Sequence, residues 1–274
     1  MNEGVIYYNK GMKMLVRLIV SLHSLRKVYD KNVAILIEGE ESDECKEIAN
    51  MYNAQIVDVD FGESYKNKTY LNSCLSHTVT PYDTSIWIDS DTVILKDPSK
   101  LFEHARKNEF AIAQFANWVT NGSKIRKRIK AWEPYLPEFV KDAINFGPAI
   151  NCGVYAFHKD GKLVKDWFDH AVKGKTSFIP DEVCCQVILP QYPHIIVDPK
   201  YNTSCRYGTV DKNTVIIHYH GRKHCRIKDG KYLNNSKLWF NEYNEIKDLD
   251  IIKSLVKKDR QLRINLKIFE KLNK

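Results

Sequence analysis

The chain has 274 residues, 43% of them hydrophobic and 11% aromatic, enough to bury a sizeable core in one large domain or two small ones. The most apolar segment, residues 14–25, is interrupted by Arg17 and His23 and cannot span a bilayer, and seven cysteines without a ladder of spacings exclude a disulfide framework. The net charge of +8 favours acidic partners, whether nucleotide phosphates, nucleic acid or an anionic membrane surface, without choosing among them.

Residues 1–8 carry no basic run ahead of an apolar core, so a cytoplasmic location with reduced thiols is expected. The Asn-x-Ser/Thr triplets at Asn67, Asn121, Asn202 and Asn234 then read as chance matches.

In chain order, residues 4–8 read as a short apolar strand. Leu15, Leu18, Ile19, Leu22 and Leu25 fall at helical spacing within residues 12–29. Residues 33–37 are a second strand closed by an acidic run, 43–52 a helix, and 55–59 a third strand. This alternation predicts an α/β fold with a mostly parallel central sheet flanked by helices. No Gly-x-Gly-x-x-Gly or Walker-type loop follows the first strand, so a nucleotide would be held by something other than a Gly-rich turn. Residues 65–77 read as a helix carrying Lys66 and Lys68, which Pro81-Tyr82-Asp83 stops.

Residues 86–95, Ile-Trp-Ile-Asp-Ser-Asp-Thr-Val-Ile-Leu, carry two aspartates inside an apolar run. Buried carboxylates need a cation, a strong donor or the open end of a strand. In extended chain Asp89 and Asp91, two residues apart, face one spot. Two hard oxygen donors converging there suit Mg²⁺ or Mn²⁺ with positions left for substrate phosphates. The expected place is the carboxyl end of a central strand. Taken alone, Asp-x-Asp is more often a turn or a solvated loop.

A short helix over residues 99–107 and a buried strand over 110–115 follow. Residues 117–143 mix Trp118, Trp132 and Tyr135 with Arg126, Lys127, Arg128 and Lys130. The simpler expectation is a solvated basic helix with its aromatics folded inward. The functional alternative is a surface that stacks sugars or bases. Residues 145–157 lead two glycines and Asn151 into a strand, residues 163–172 form a helix, and Asp181 stands at the start of another, where it suits the helix dipole. Cys184 and Cys185 read as small apolar fillers.

Residues 214–218 form a strand ending at His218, followed by Tyr219-His220-Gly221-Arg222-Lys223-His224-Cys225. A zinc site using Cys205 lacks a Cys-x-x-Cys partner. His218 as a further metal ligand, followed by backbone amides, Arg222 and Lys223 as phosphate donors, fits better. The tail, residues 241–274, is amphipathic and basic: helices packed on residues 1–240, or a membrane-surface segment.

Together, Ile88-Asp89-Ser90-Asp91-Thr92, Asn151-Cys152-Gly153-Val154-Tyr155, Asp181-Glu182 and His218-Tyr219-His220-Gly221 resemble the GT-A fold glycosyltransferases of family 8, the glycogenin and lipopolysaccharide galactosyltransferase group. Order and rough spacing match from residue 4 to about residue 225. Two departures stand out: the family's Asp-Gln is Asp181-Glu182 here, and its late Lys-Pro-Trp is replaced by Lys223-His224-Cys225. The resemblance implies a single nucleotide-diphospho-sugar transferase domain over residues 1–240. It implies a nucleotide-sugar donor, a UDP-sugar above all, and transfer with retention to a glycan, lipid-linked glycan or protein. By that resemblance Asp89, Asp91 and His218 would bind Mn²⁺ or Mg²⁺, with Ser90 between them. Tyr8 and Asn9 would line the base and ribose pocket. Lys68 would sit near the donor sugar or phosphate, and Asn151 and Gly153 would touch sugar or acceptor. Asp181 would face the sugar hydroxyls, and Gly221 and Lys223 the diphosphate.

Two rivals come from other classes. Residues 89–94 also fit the first motif of HAD-type phosphohydrolases, with Asp89 as covalent nucleophile. That motif normally follows the first strand of its domain, whereas a βαβαβ unit precedes it here. A basic module for nucleic acid or anionic lipid, resting on residues 124–130 and the tail, would leave the aspartate pair unexplained.

Overall fold

The computed structural model describes residues 2–10, 14–39, 42–61, 69–220 and 231–272. The first half runs β1 (Glu3–Lys10), α1 (Leu15–Arg26), β2 (Val33–Glu38), α2 (Asp43–Met51), β3 (Gln55–Val59), α3 (Thr69–Leu75), β4 (Thr84–Ile88), β5 (Thr92–Ile94), α4 (Lys100–Asn108) and β6 (Phe110–Val119). Then come α5 (Ser123–Lys130), α6 (Pro137–Asn145), β7 (Pro148–His158), α7 (Lys162–Lys173), α8 (Pro180–Ile188), β8 (Ile195–Val197), β9 (Thr203–Ser204) and β10 (Ile216–His218). Three helices close the chain: α9 (Lys231–Ile246), α10 (Asp250–Lys258) and α11 (Arg260–Leu272).

Seven strands form the central sheet in the order β3-β2-β1-β4-β7-β6-β8. β7 pairs antiparallel with both β4 and β6, and the other pairings are parallel, so the sheet is mostly parallel with one reversed strand. The order steps outward from β1 to β3 on one side and jumps to β4 on the other. In open α/β sheets such a reversal marks where ligands bind, here the carboxyl ends of β1 and β4. A small second sheet, β5-β10-β9, stands beside it.

Alternation along the strands feeds two cores. Val5, Tyr7, Ile86 and Ile88 point into one cluster, with α1, α2, α4 and the closing helices. Ile6 and Trp87 point into the other, with α6, α7 and α8. α1 is buried nearly all round, so its polar residues need partners. Ser21 Oγ reaches Thr92 Oγ1 at 2.7 Å, and Ser24 Oγ accepts from Ile94 N at 2.9 Å. These bonds clamp β5 to α1.

Several expectations change. The run 86–95 is not one strand: β4 ends at Ile88, β5 starts at Thr92 in the other sheet, and Asp89, Ser90 and Asp91 form the turn between them. Of the helix expected over 65–77, α3 begins at Thr69 and a 3₁₀ turn at Ser76–Val79 takes over its end, while residues 62–68 lie outside the described ones. In the basic stretch, β6 extends to Val119, and α5 buries Ile125 and Ile129; Trp132 folds in behind them, as the simpler expectation held, whereas Tyr135 is exposed and Trp118 only half-buried. In the tail, α9 runs across residue 240, and its Trp239, Phe240, Tyr243 and Ile246 share the core of β1 and β2.

Candidate metal centre

The turn after β4 is held at each corner. Asp89 N donates to Gly153 O on β7 at 2.8 Å, and Thr92 Oγ1 donates to Asp89 O at 2.8 Å. Tyr219 N donates to Asp91 O at 2.9 Å, and β10 pairs with β5 so that His218 stands opposite Thr92. The imidazole is thereby carried over the aspartate turn. His218 Nε2 lies 3.2 Å from Asp91 Oδ1 and 3.6 Å from Asp89 Oδ2. One ligand atom from each of Asp89, Asp91 and His218 falls within 4.8 Å of the others. Asp89 Oδ1 accepts from Trp87 Nε1 at 3.0 Å, which leaves Oδ2 to the cluster. Asp91 and His218 are buried and Asp89 is 39% exposed, so the group is walled on two sides and open on the third.

A bare imidazole lone pair does not sit 3.2 Å from a carboxylate without a proton or a cation between them. The electrostatics of the cluster run the same way. Burial pushes His218 down, but Asp91 and Asp89 outweigh it and hold the group above its ordinary value. Burial pushes Asp89 up, and neighbouring Asp91 adds to the rise against the pull of His218. Two carboxylates and one imidazole suit a divalent cation of the Mn²⁺ or Mg²⁺ kind.

Gly153 explains how the ring fits. A Cβ there would lie 2.0 Å from His218 Cε1, so only glycine lets the imidazole lie against the backbone of β7. Asn151, two residues earlier, points Oδ1 at His218 Nδ1 at 3.0 Å and gives Nδ2 to Glu182 Oε2 at 2.5 Å. Glu182, on the first turn of α8, has Arg128 Nη1 3.9 Å away, and burial holds its carboxyl above the usual range despite Arg128.

The structure brings Asn151, Gly153, Asp89, Ser90, Asp91 and His218 together. Tyr8 stands at the carboxyl end of β1, stacked on Trp87 with centroids 6.2 Å apart, and its hydroxyl bonds to Glu38. Asn9 next to it is buried. Asp181 lies in the first turn of α8 beside Glu182, and its carbonyl accepts from Trp167 Nε1 at 3.0 Å. Lys68, Gly221 and Lys223, with Arg222, lie outside the described residues.

Four neighbours of the site escaped the sequence reading of roles: Trp87, Glu182, Asn202 and Tyr70. Tyr70 is exposed; burial of its hydroxyl raises its pKa, and the carboxylates of Asp181, Asp89 and Glu182 raise it further. Asn202 stood in the sequence only as a chance Asn-x-Ser triplet. A second group, His23, Glu242 and Glu245, could also hold a cation, but Lys27 Nζ already sits 2.7 Å from Glu242 and 2.8 Å from Glu245.

No family model and no curated protein matches this sequence. Solved structures do match it. A galactosyltransferase, LgtC, in complex with donor and acceptor sugar analogues aligns over 88% of this chain and 95% of its own, at 11% identity and a TM-score of 0.62. Mouse xyloside xylosyltransferase 1 aligns over 81% of this chain and 99% of its own, at 13% identity and a TM-score of 0.57. The glycosyltransferase GlyE of Streptococcus pneumoniae aligns over 92% of this chain and 64% of its own, at 14% identity and a TM-score of 0.57. The chain has the GT-A fold of these glycosyltransferases.

Proposed function

We propose that the protein is a metal-dependent glycosyltransferase that moves a sugar from a nucleotide-sugar donor, a UDP-sugar, to a glycan, lipid-linked glycan or protein acceptor, with retention of anomeric configuration. One observation carries this reading: the converging ligand atoms of Asp89, Asp91 and His218 at the carboxyl end of β4, in a GT-A fold. These three residues would hold Mn²⁺ or Mg²⁺. Holding a divalent cation there, they would supply charge neutralisation for a departing diphosphate.

The chain's own residues would do the rest. Tyr8 and Asn9, at the end of β1, would receive the base and ribose, and Ser90, between the two carboxylates, would face the donor. Lys68, Gly221 and Lys223 would contact phosphate oxygens. Asn151, Gly153 and Asp181 would line the donor-sugar side. Residues 1–240 would form the transferase unit with residues 241–274 packed on it. Exposed Ile264 and Ile268 beside Lys267 and Lys271 on α11 would support peripheral contact with an anionic membrane. No specific nucleic acid is expected. The phosphohydrolase alternative is not favoured, since Asp89 lies in a glycosyltransferase-like fold with one carboxylate oxygen engaged by Trp87.

Incubating the protein with a panel of nucleotide sugars and Mn²⁺ tests the reading without knowledge of the acceptor. Slow release of nucleoside diphosphate from one donor is expected. Failure to turn over or bind any donor in the panel would overturn it.

A further inference from the structure

Behind the metal-facing edge of His218 lie two asparagine amides, Asn151 half-buried and Asn202 buried, whose polarity can be read atom by atom. Gly153 N lies 3.1 Å from Asn151 Oδ1. A backbone N–H only donates, so that atom is the oxygen. The other end of the amide meets the Glu182 carboxylate, which only accepts, so it is the nitrogen. Asn202 is pinned likewise. Its Nδ2 lies 3.0 Å from the Asn151 carbonyl O and 3.0 Å from Asn151 Oδ1, both acceptors. Its other atom is therefore oxygen, and it lies 3.1 Å from His218 Nδ1. Asn151 Oδ1 lies 3.0 Å from the same nitrogen. His218 Nδ1 thus faces two oxygens and must carry the hydrogen, which leaves Nε2 as the atom turned to Asp89 and Asp91.

We propose that Asn202 is a positioning residue: with Asn151 it holds His218 in the Nδ1–H form, so that Nε2 is the atom offered to a divalent cation between Asp89 and Asp91. Glu182 orients Asn151 from the opposite side. Asn202 is only 1% exposed, and its Oδ1 meets Nδ1, the ring nitrogen turned away from Asp89 and Asp91, so it acts through the ring and not on the ion. Outer partners of this kind set the tautomer and aim of metal-ligating histidines, and their loss typically costs about 10–100-fold in metal affinity. The proposal rests on the metal site proposed above, but on none of its sugar chemistry.

The test reads Mn²⁺ binding and ring protonation, not turnover. In nitrogen NMR of the parent saturated with Mg²⁺, a diamagnetic stand-in for Mn²⁺, a ring with its hydrogen on Nδ1 and none on Nε2 is expected. An Nε2–H tautomer would overturn the proposal, and this measurement needs no substitution. In a titration of free Mn²⁺ by electron paramagnetic resonance, Asn202→Ala is expected to weaken binding about 10-fold or more. In a His218→Ala background the same change should cost nothing further, because the ring it positions is gone. An equal loss in both backgrounds would show a general structural effect and overturn the proposal. A parent that binds Mn²⁺ and ignores Asn202→Ala overturns this proposal alone. A parent that binds no Mn²⁺ overturns the metal site and this proposal together.

Discussion

One added methyl group at Gly153 tests the site's packing. Its Cβ would lie 2.0 Å from His218 Cε1, so in Gly153→Ala the ring must move off the aspartate turn. Overpacking of this sort costs about 1–3 kcal/mol of stability. Mn²⁺ affinity should fall about 10–100-fold, as for a ligand pushed off its aim. Unchanged Mn²⁺ binding in a folded variant would show that His218 is not a ligand. His218 also sets a pH dependence. A metal-ligating imidazole must be neutral, and Asp91 and Asp89 hold this one's pKa above 6.5. Protons therefore compete with the cation below that raised value, and Mn²⁺ affinity should weaken as pH falls, beginning above pH 6.5. Affinity flat from pH 8 to pH 5.5 in a titration at several pH values would contradict this. At this scale the sequence spoke clearly about Asp89 and Asp91, because charge inside an apolar run demands a partner. It marked His218 by its place at a strand end. It was silent on Asn202 and on Trp87 as partners, since a hydrogen bond between residues distant in sequence leaves no local pattern.

Among the elements, α9 is joined to α1 in two different ways. Lys27 and His23 meet Glu242 and Glu245 at the partly exposed rim. Behind them Trp239 is fully buried and stacks on Tyr243 at 5.5 Å and 8°. Exposed ion pairs contribute little, while a buried indole carries a large apolar area. Trp239→Ala should therefore cost about 3–5 kcal/mol in urea unfolding, and Lys27→Ala less than about 1 kcal/mol. The reverse ranking would mean that the ion pairs, not the core, dock the closing helices. The strands and most helices were legible from period and apolar runs. The break at Asp89 was not. Apolar triplets on both sides of the pair report burial, and burial does not say that Ile88 belongs to one sheet and Thr92 to another. The Thr92 and Ser21 hydroxyls that pin this turn belong to tertiary structure.

For the whole molecule, the alternation of strands and helices over the first 59 residues was enough to anticipate a mostly parallel sheet. The reversal of β7 was not legible, because a strand buried on both faces reads the same in either direction. That reversal matters for the site: running against β4, β7 brings the segment Asn151–Gly153 to the same edge as the aspartate turn. The fold agrees with that of the GT-A neighbours at only 11–14% identity. What these chains share is placement of elements more than side chains. The central claim is that Asp89, Asp91 and His218 bind a divalent cation for release of a nucleoside diphosphate. Its most direct test is hydrolysis of a nucleotide sugar by the parent protein, with Mn²⁺, with excess chelator, and with Mn²⁺ restored, alongside Asp91→Ala. The account predicts nucleoside diphosphate as product, loss of turnover on chelation, recovery with Mn²⁺, and none from Asp91→Ala. Turnover that persists in excess chelator, or inorganic phosphate as the first product with Asp89 covalently modified, would contradict it.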